Sequence, residues 1–143
     1  LIMLDAYNGF SVAQFMLSRE AFSEMKSALN PGGMLVINTV GKLSQARDGA
    51  PEPQDRLVRA VNSTLKSVFS NVSVISDVYG ISNYVYRASD SPVAVPAGFI
   101  SVQPSDKALV VTDNYNPVES LTNDIIEDWR AEEIRRTGNL FLN

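Results

Sequence analysis

The sequence predicts an α/β fold with a mainly parallel sheet and an antiparallel edge strand. Short apolar runs typical of buried strands alternate along the chain with stretches whose apolar residues recur at helical spacing. The last two predicted strands, at 72–75 and 84–86, are separated by a gap too short for a helix. They therefore favour an antiparallel pair at the edge of the sheet.

Composition narrows the range of functions before any motif is considered. The 143 residues suit one domain, and a net charge of −4 argues against a nucleic-acid partner, which needs a basic face. The sequence has no cysteine and no histidine, which excludes disulfides, Cys or His metal sites and Ser-His-Asp triads. We expect no metal site and no membrane segment in this chain, and proton transfer must use Asp, Glu, Lys or Tyr.

The first predicted strand, residues 1–4, is apolar throughout and runs directly into Asp5. Ligands of α/β sheets bind at the carboxyl ends of strands, so Asp5 is the first candidate site residue. An acid in this place can instead cap a neighbouring helix or loop. Because a natural protein rarely begins inside a buried strand, we expect the chain to be a fragment of a longer protein.

Helix signals follow in two places. Ser18 can cap a helix that carries Phe22, Met25 and Leu29 on one face, and residues 30–33 (Asn-Pro-Gly-Gly) stop it before a second strand at 34–37. After a polar stretch at 41–54, interpreted as a surface loop, a second helix begins at Asp55.

The rest of the chain predicts an irregular segment at 89–107, a short apolar run at 109–112 and a dense turn at 113–117. A charged helix follows within 118–136, and four residues are expected on its inner side: Ile125, Ile126, Trp129 and Ile134. Tyr79, Tyr84 and Tyr86 could line a pocket, although aromatic residues in strands more often pack in the core. Glu132, Glu133, Arg135 and Arg136 favour a solvated helix face over a partner surface.

Several segments of the chain resemble a known family. Residues 29–35 (LNPGGML) are similar to the helix-stop-strand element of class I S-adenosylmethionine-dependent methyltransferases. Residues 1–9 (LIMLDAYNG), 17–22 (LSREAF) and 111–119 (VTDNYNPVE) resemble the spermidine synthase-like group within that fold. The resemblance implies the C-terminal half of a Rossmann-like methyltransferase fold over residues 1–120, followed by a charged helical extension at 121–143.

The resemblance also implies a reaction, the transfer of an aminopropyl group from decarboxylated S-adenosylmethionine to a diamine such as putrescine. Asp5 matches the acid usually treated as the base that deprotonates the amine. Asn8 stands where synthases carry a second acid, so it keeps a hydrogen bond and loses an ion pair. Tyr7, Asn8, Asp113 and Tyr115 are the expected substrate-binding residues; the alternatives are an Asn-Gly turn at 8–9 and a turn at 113–117 held by its own hydrogen bonds.

The sequence contains no Gly-x-Gly-x-x-Gly turn, so we expect this fragment alone to bind no cofactor in the family's manner and to be inactive. Decarboxylated S-adenosylmethionine would be the co-substrate of the parent protein, in the cytoplasm. Exposed sheet edges could pair in a homodimer. Two other functions stay open: a non-catalytic interaction domain that keeps the fold, and an S-adenosylmethionine-dependent methyltransferase.

Overall fold

The computed structural model describes residues 1–5, 7–8, 11–45, 51–53, 55–104 and 108–137. The strands are β1 (Ile2–Asp5), β2 (Tyr7–Asn8), β3 (Ser11–Val12), β4 (Leu35–Gln45), β5 (Pro51–Pro53), β6 (Asn71–Ser76), β7 (Gly80–Ser89) and β8 (Ile100–Val102). The helices are α1 (Arg19–Ser27), α2 (Arg56–Lys66) and α3 (Val118–Thr137), and a short 3₁₀ helix spans Gln14–Leu17. An α/β fold is thus confirmed.

The main sheet has the strand order β1-β4-β7-β6-β8, with β5 paired to one end of β4, while β2 and β3 form a separate hairpin. Only β1 and β4 pair in parallel among these described strands; the other pairs are antiparallel. The sheet therefore contains fewer parallel pairs than the expected mainly parallel arrangement.

The position of β7 explains this difference. Both β4 and β6 are antiparallel to β7, so β1, β4 and β6 all run in the same direction. The short turn at 77–79 places β7 directly beside β6, as the sequence predicts. However, β7 lies between β6 and β4 rather than at an edge. The antiparallel edge strand is instead β8, which pairs with β6.

The core lies on the face of the sheet that the three helices cover. Each helix contributes buried side chains: Phe22 from α1, eight residues from α2 and Val118 from α3. The apolar side chains of this set form one hydrophobic cluster with strand residues such as Leu4 and Tyr86. Along β4, residues 35, 37, 39, 41 and 43 are buried while the residues between them are half-buried. This alternation is the period of two that a strand with one covered face requires.

β4 is longer than the sequence indicates. The interpretation of 41–54 as a surface loop is wrong for 41–45 and 51–53, which lie in β4 and β5. Tertiary pairing explains the difference, because β7 pairs with β4 as far as Leu43. Residues 46–50 and 54 lie outside the described part of the chain.

α3 is a continuous helix, but only its first half packs against the core. Val118, Leu121 and Ile125 are buried, whereas Trp129 is 36% and Ile134 is 46% exposed. The expectation that Trp129 and Ile134 lie on an inner side is therefore wrong; beyond Ile125, Asp128 of α3 forms an ion pair of 2.9 Å with Lys42 of β4. Within the described ranges, no helix is long and apolar enough to cross a membrane. The division of the chain at residue 120 stays a prediction.

Candidate active site

Asp5 is the last residue of β1, and its side chain is exposed. In the parallel pairing of β1 with β4 it lies opposite Asn38, and the Asn38 amide nitrogen donates a hydrogen bond of 3.3 Å to Asp5 Oδ1. None of the ion pairs between described residues includes Asp5. The result is a solvent-facing carboxylate that one neutral donor holds, as a base or a cation-binding group requires.

Tyr7 and Asn8 follow directly as strand β2. Their backbone pairs antiparallel with that of Val12 and Ser11 in β3. Gly9, the second residue of the expected Asn-Gly turn, lies outside the described residues, and so do the side chains of Tyr7 and Asn8. Their roles as substrate-binding residues stay a prediction, although the backbone places both residues next to the end of β1.

The segment around Asp113 and Tyr115 forms a tight turn. Thr112 and Tyr115 exchange two backbone hydrogen bonds of 3.0 and 3.1 Å, and the Thr112 hydroxyl accepts a third from the Tyr115 amide. Thr112 thus holds the turn, and at the end of the segment Asn116 accepts an Asx-type hydrogen bond from the Val118 amide. Asp113 is exposed and Tyr115 is 61% exposed, so both side chains are free of the core.

A surface cavity of about 250 Å³ lies beside this turn. It is lined by Phe15, Ala21, Glu24, Asp113 and Asn116. Two of these residues are acidic and one is an aromatic ring that is 74% exposed. Carboxylates and an aromatic face are groups that attract an organic cation, so the lining suits an alkylammonium group better than an anion.

Glu20 connects this turn to α1. Its Oε2 accepts a hydrogen bond from the Asp113 amide at 3.1 Å, and its Oε1 forms an ion pair with Arg19. Backbone amide donors, that of Glu20 itself first and that of Asp113 next, lower the pKa of the Glu20 carboxyl below its usual value. The same carboxylate fixes the backbone of Asp113.

Gln14 and Asn116 join the 113–117 turn to the 3₁₀ helix. The Asn116 amide donates to the Gln14 carbonyl at 2.8 Å, and the Gln14 amide donates to Glu119 at 3.2 Å. Asn116 also accepts a hydrogen bond from the Val118 amide, at the start of α3. These bonds hold the 113–117 turn against the 3₁₀ helix and the start of α3; among the described residues, no hydrogen bond joins the turn to Asp5.

Sequence reasoning missed Asn38, Gln14 and Glu20 as members of this site. Asn38 could be found only from the register of β1 against β4, which no local pattern fixes. Glu20 carried a weak signal, since an acid in the first turn of a helix is favoured there. Among the alternatives, core packing is confirmed for Tyr84 and Tyr86, which are fully buried, whereas Tyr79 is 44% exposed.

The remaining candidate groups serve other purposes. Arg135 pairs with Glu132 and Arg136 with Glu133, at 3.1 and 2.7 Å, so these charges form ion pairs along the exposed half of α3. The described residues contain no group of three acidic side chains arranged to hold a metal ion.

The described strands of the main sheet have the order β1-β4-β7-β6, with β7 antiparallel to both of its neighbours and the Asp5 carboxylate at the end of β1. The crystal structure of a probable spermidine synthase from Corynebacterium glutamicum ATCC 13032 superposes with a TM-score of 0.59 at 18% identity, over 78% of this chain and 46% of that chain. The resemblance in fold is thereby confirmed.

Part of the chain is also similar in sequence to a curated protein. The chain is 33% identical over 84 residues to a probable polyamine aminopropyl transferase of Bifidobacterium longum (strain NCC 2705). This match covers 58% of the chain and 17% of the relative, so the chain spans less than a fifth of the curated protein and less than half of the solved one. No family model matches the sequence. In sequence the chain is similar to part of the polyamine aminopropyl transferase, and in fold it is similar to part of the probable spermidine synthase.

Proposed function

We propose that this chain is the C-terminal portion of a spermidine synthase-like protein that transfers an aminopropyl group from decarboxylated S-adenosylmethionine to a diamine, with putrescine as the substrate. The observation that carries the proposal is the exposed carboxylate of Asp5 at the end of β1. It has no ion-pair partner among the described residues and holds a single hydrogen bond from Asn38. The sequence similarity to a polyamine aminopropyl transferase and the similar fold of a probable spermidine synthase support the proposal.

In this reaction Asp5 accepts a proton from the attacking ammonium group of the diamine. The freed nitrogen lone pair then forms a bond to the methylene carbon beside the sulfonium. The carbon–sulfur bond breaks, and its electron pair stays on sulfur in methylthioadenosine. The carboxylate thus supplies both a proton acceptor and an attraction for the cationic amine.

The other four residues would hold the diamine. Tyr7 and Asn8 follow Asp5 in the chain, and Asp113 lines the acidic cavity that Tyr115 adjoins in the turn. A diamine carries a second positive charge away from its attacking nitrogen. Solvent-exposed carboxylates attract this second ammonium group over several ångströms, although salt weakens the attraction.

The decisive experiment measures methylthioadenosine released by the full-length protein from putrescine and decarboxylated S-adenosylmethionine. Asp5→Asn should lower kcat by about 10²- to 10⁴-fold, the usual contribution of a general base. Asp77→Asn is the matched control, because Asp77 is exposed in the β6–β7 turn and should leave the rate unchanged. A wild-type protein that releases no methylthioadenosine contradicts the proposal.

A non-catalytic domain with the same fold is the second candidate, and Asn8 favours it. A neutral amide in place of an acid gives up the ion pair to the diamine. Calorimetry with methylthioadenosine separates the two functions, since a scaffold without a nucleotide site should produce no heat. A methyltransferase would instead bind S-adenosylmethionine more tightly than its decarboxylated form. We expect a cytoplasmic protein, and pairing of sheet edges in a homodimer stays a prediction.

A further inference from the structure

We infer that Asn38 is a positioning residue for Asp5: its side-chain amide holds one oxygen of the carboxylate, so that the other oxygen is presented to the incoming amine. The inference rests on the proposed function, because it assigns a task to a residue that supports the proposed base. Neither the sequence motifs nor the comparisons assign any role to Asn38.

The backbone already brings the two side chains together. β1 ends at Asp5, whereas β4 continues for seven residues beyond Asn38, to Gln45. Asn38 therefore lies in the middle of a strand that is paired on both sides, with Asp5 in β1 and with Val85 in β7. The hydrogen bond to Asn38 therefore restricts the rotamers of Asp5, whose own position at the end of a strand is less constrained.

The amide of Asn38 is used at one end only. Its nitrogen donates to Asp5 Oδ1, while its oxygen is buried and accepts no hydrogen bond from any described residue. Burying an acceptor without a donor is unfavourable, and an apolar side chain of similar size would avoid that cost. The gain that asparagine brings at this position is therefore its donor. Turning the amide by half a turn would set oxygen against carboxylate, so Asp5 also selects the amide orientation.

The hydrogen bond from Asn38 gives the two oxygens of the Asp5 carboxylate different roles. With Oδ1 engaged by Asn38, Oδ2 is the atom left to accept a proton. A general base must lie within hydrogen-bond reach of the proton that it removes, and a displacement of about 1 Å can cost 10²-fold in rate. An unrestrained side chain at the end of β1 would spend time in rotamers that point away from the substrate.

The kinetic test compares three variants of the full-length protein. Asn38→Leu removes the donor, and we expect a fall of about 10- to 100-fold in kcat with KM for decarboxylated S-adenosylmethionine within about two-fold of wild type. Asn38→Gln keeps an amide and should recover part of the loss. Asn83→Leu is the control, because Asn83 is exposed on β7 and, opposite Val40, shares the face of Asn38. Equal rates for Asn38→Leu and Asn83→Leu overturn the inference.

A second measurement does not depend on activity. In protein labelled with ¹⁵N-asparagine, the Asn38 side-chain amide protons should exchange with water more slowly than those of Asn83. Replacement of Asp5 by alanine should remove this protection, while the backbone amide spectrum shows that the variant remains folded. If the Asn38 side-chain amide protons exchange equally slowly in Asp5→Ala and in wild type, the inference is overturned. This outcome decides the question even if Asn38→Leu fails to fold. If the wild-type protein transfers no aminopropyl group, the proposed function fails, and the exchange comparison still decides whether Asn38 holds Asp5.

Discussion

Replacement of Gly41 by alanine should destabilise the sheet at the point where β4 passes beneath the start of α2. A Cβ atom built on Gly41 lies 2.7 Å from Val58 Cγ2, 2.8 Å from Asp55 Oδ2 and 2.8 Å from Tyr84 Cε2. Ordinary van der Waals contact begins at 3.4 Å, so each of the three neighbours must retreat by a large fraction of an ångström. Val58 and Tyr84 are fully buried and Asp55 is 5% exposed, so none has open space to move into.

The magnitude follows from two effects. Overpacking of a closed core costs about 1 to 3 kcal/mol. Asp55 Oδ2 also accepts a hydrogen bond from the Lys42 backbone amide, and displacing this buried carboxylate weakens that bond at a further cost of about 1 kcal/mol. We therefore expect Gly41→Ala to lower the free energy of unfolding by about 2 to 4 kcal/mol.

Urea denaturation followed by far-ultraviolet circular dichroism measures this loss. Asn83→Ala is the control, because it changes an exposed position of the neighbouring strand β7 and should stay within about 0.5 kcal/mol of wild type. A Gly41→Ala protein whose free energy of unfolding lies within that same range would refute the reasoning. It would mean that β4 and α2 are packed more loosely than the distances indicate.

Two further outcomes test the contacts around the site and at the other end of the sheet. Ser18→Ala should cost about 1 kcal/mol in urea denaturation, because its hydroxyl caps α1 by accepting the Ala21 amide at 3.1 Å; Ser23→Ala on the exposed face should cost less than about 0.5 kcal/mol. The hydrogen bond from Lys26 lowers the pKa of the Asp90 carboxyl in the folded protein. The stabilisation that this carboxylate provides is therefore fully present above its pKa in the unfolded chain, about 3.9. It is lost as the pH falls through the lower pKa of the folded state. The difference between wild type and Asp90→Asn should accordingly shrink between pH 7 and pH 3, and a constant difference would contradict the assignment.

The sequence predicted correctly those features that depend only on residues close together in the chain. Ser18 caps α1, as its place before Glu20 and Phe22 predicts. The turn at 77–79 joins β6 and β7 in the expected antiparallel pair. In each case the deciding residues lie within a few positions of one another, so composition and spacing contain the information.

The elements that the sequence could not predict depend on distant partners. The polar stretch from Gly41 onwards becomes strand because β7 supplies hydrogen bonds to it. Trp129 and Ile134 follow a helical period, but α3 extends beyond the core before it reaches them. The contact between Asp5 and Asn38 likewise needs the register of two strands that lie about thirty residues apart.

The insertion of β7 between β4 and β6 also constrains how the chain folds as it is synthesised. Leu35 pairs with Ala88 and Leu43 with Gly80, so this central strand pair closes a long loop that contains α2 and β6. Such distant pairing carries a loop-closure entropy and is slow to form, whereas the β6–β7 hairpin is local. The hairpin should therefore form first and then dock as a unit. Until it emerges from the ribosome, β4 has an open edge, and chaperone contact at that stage would protect it from pairing with other chains.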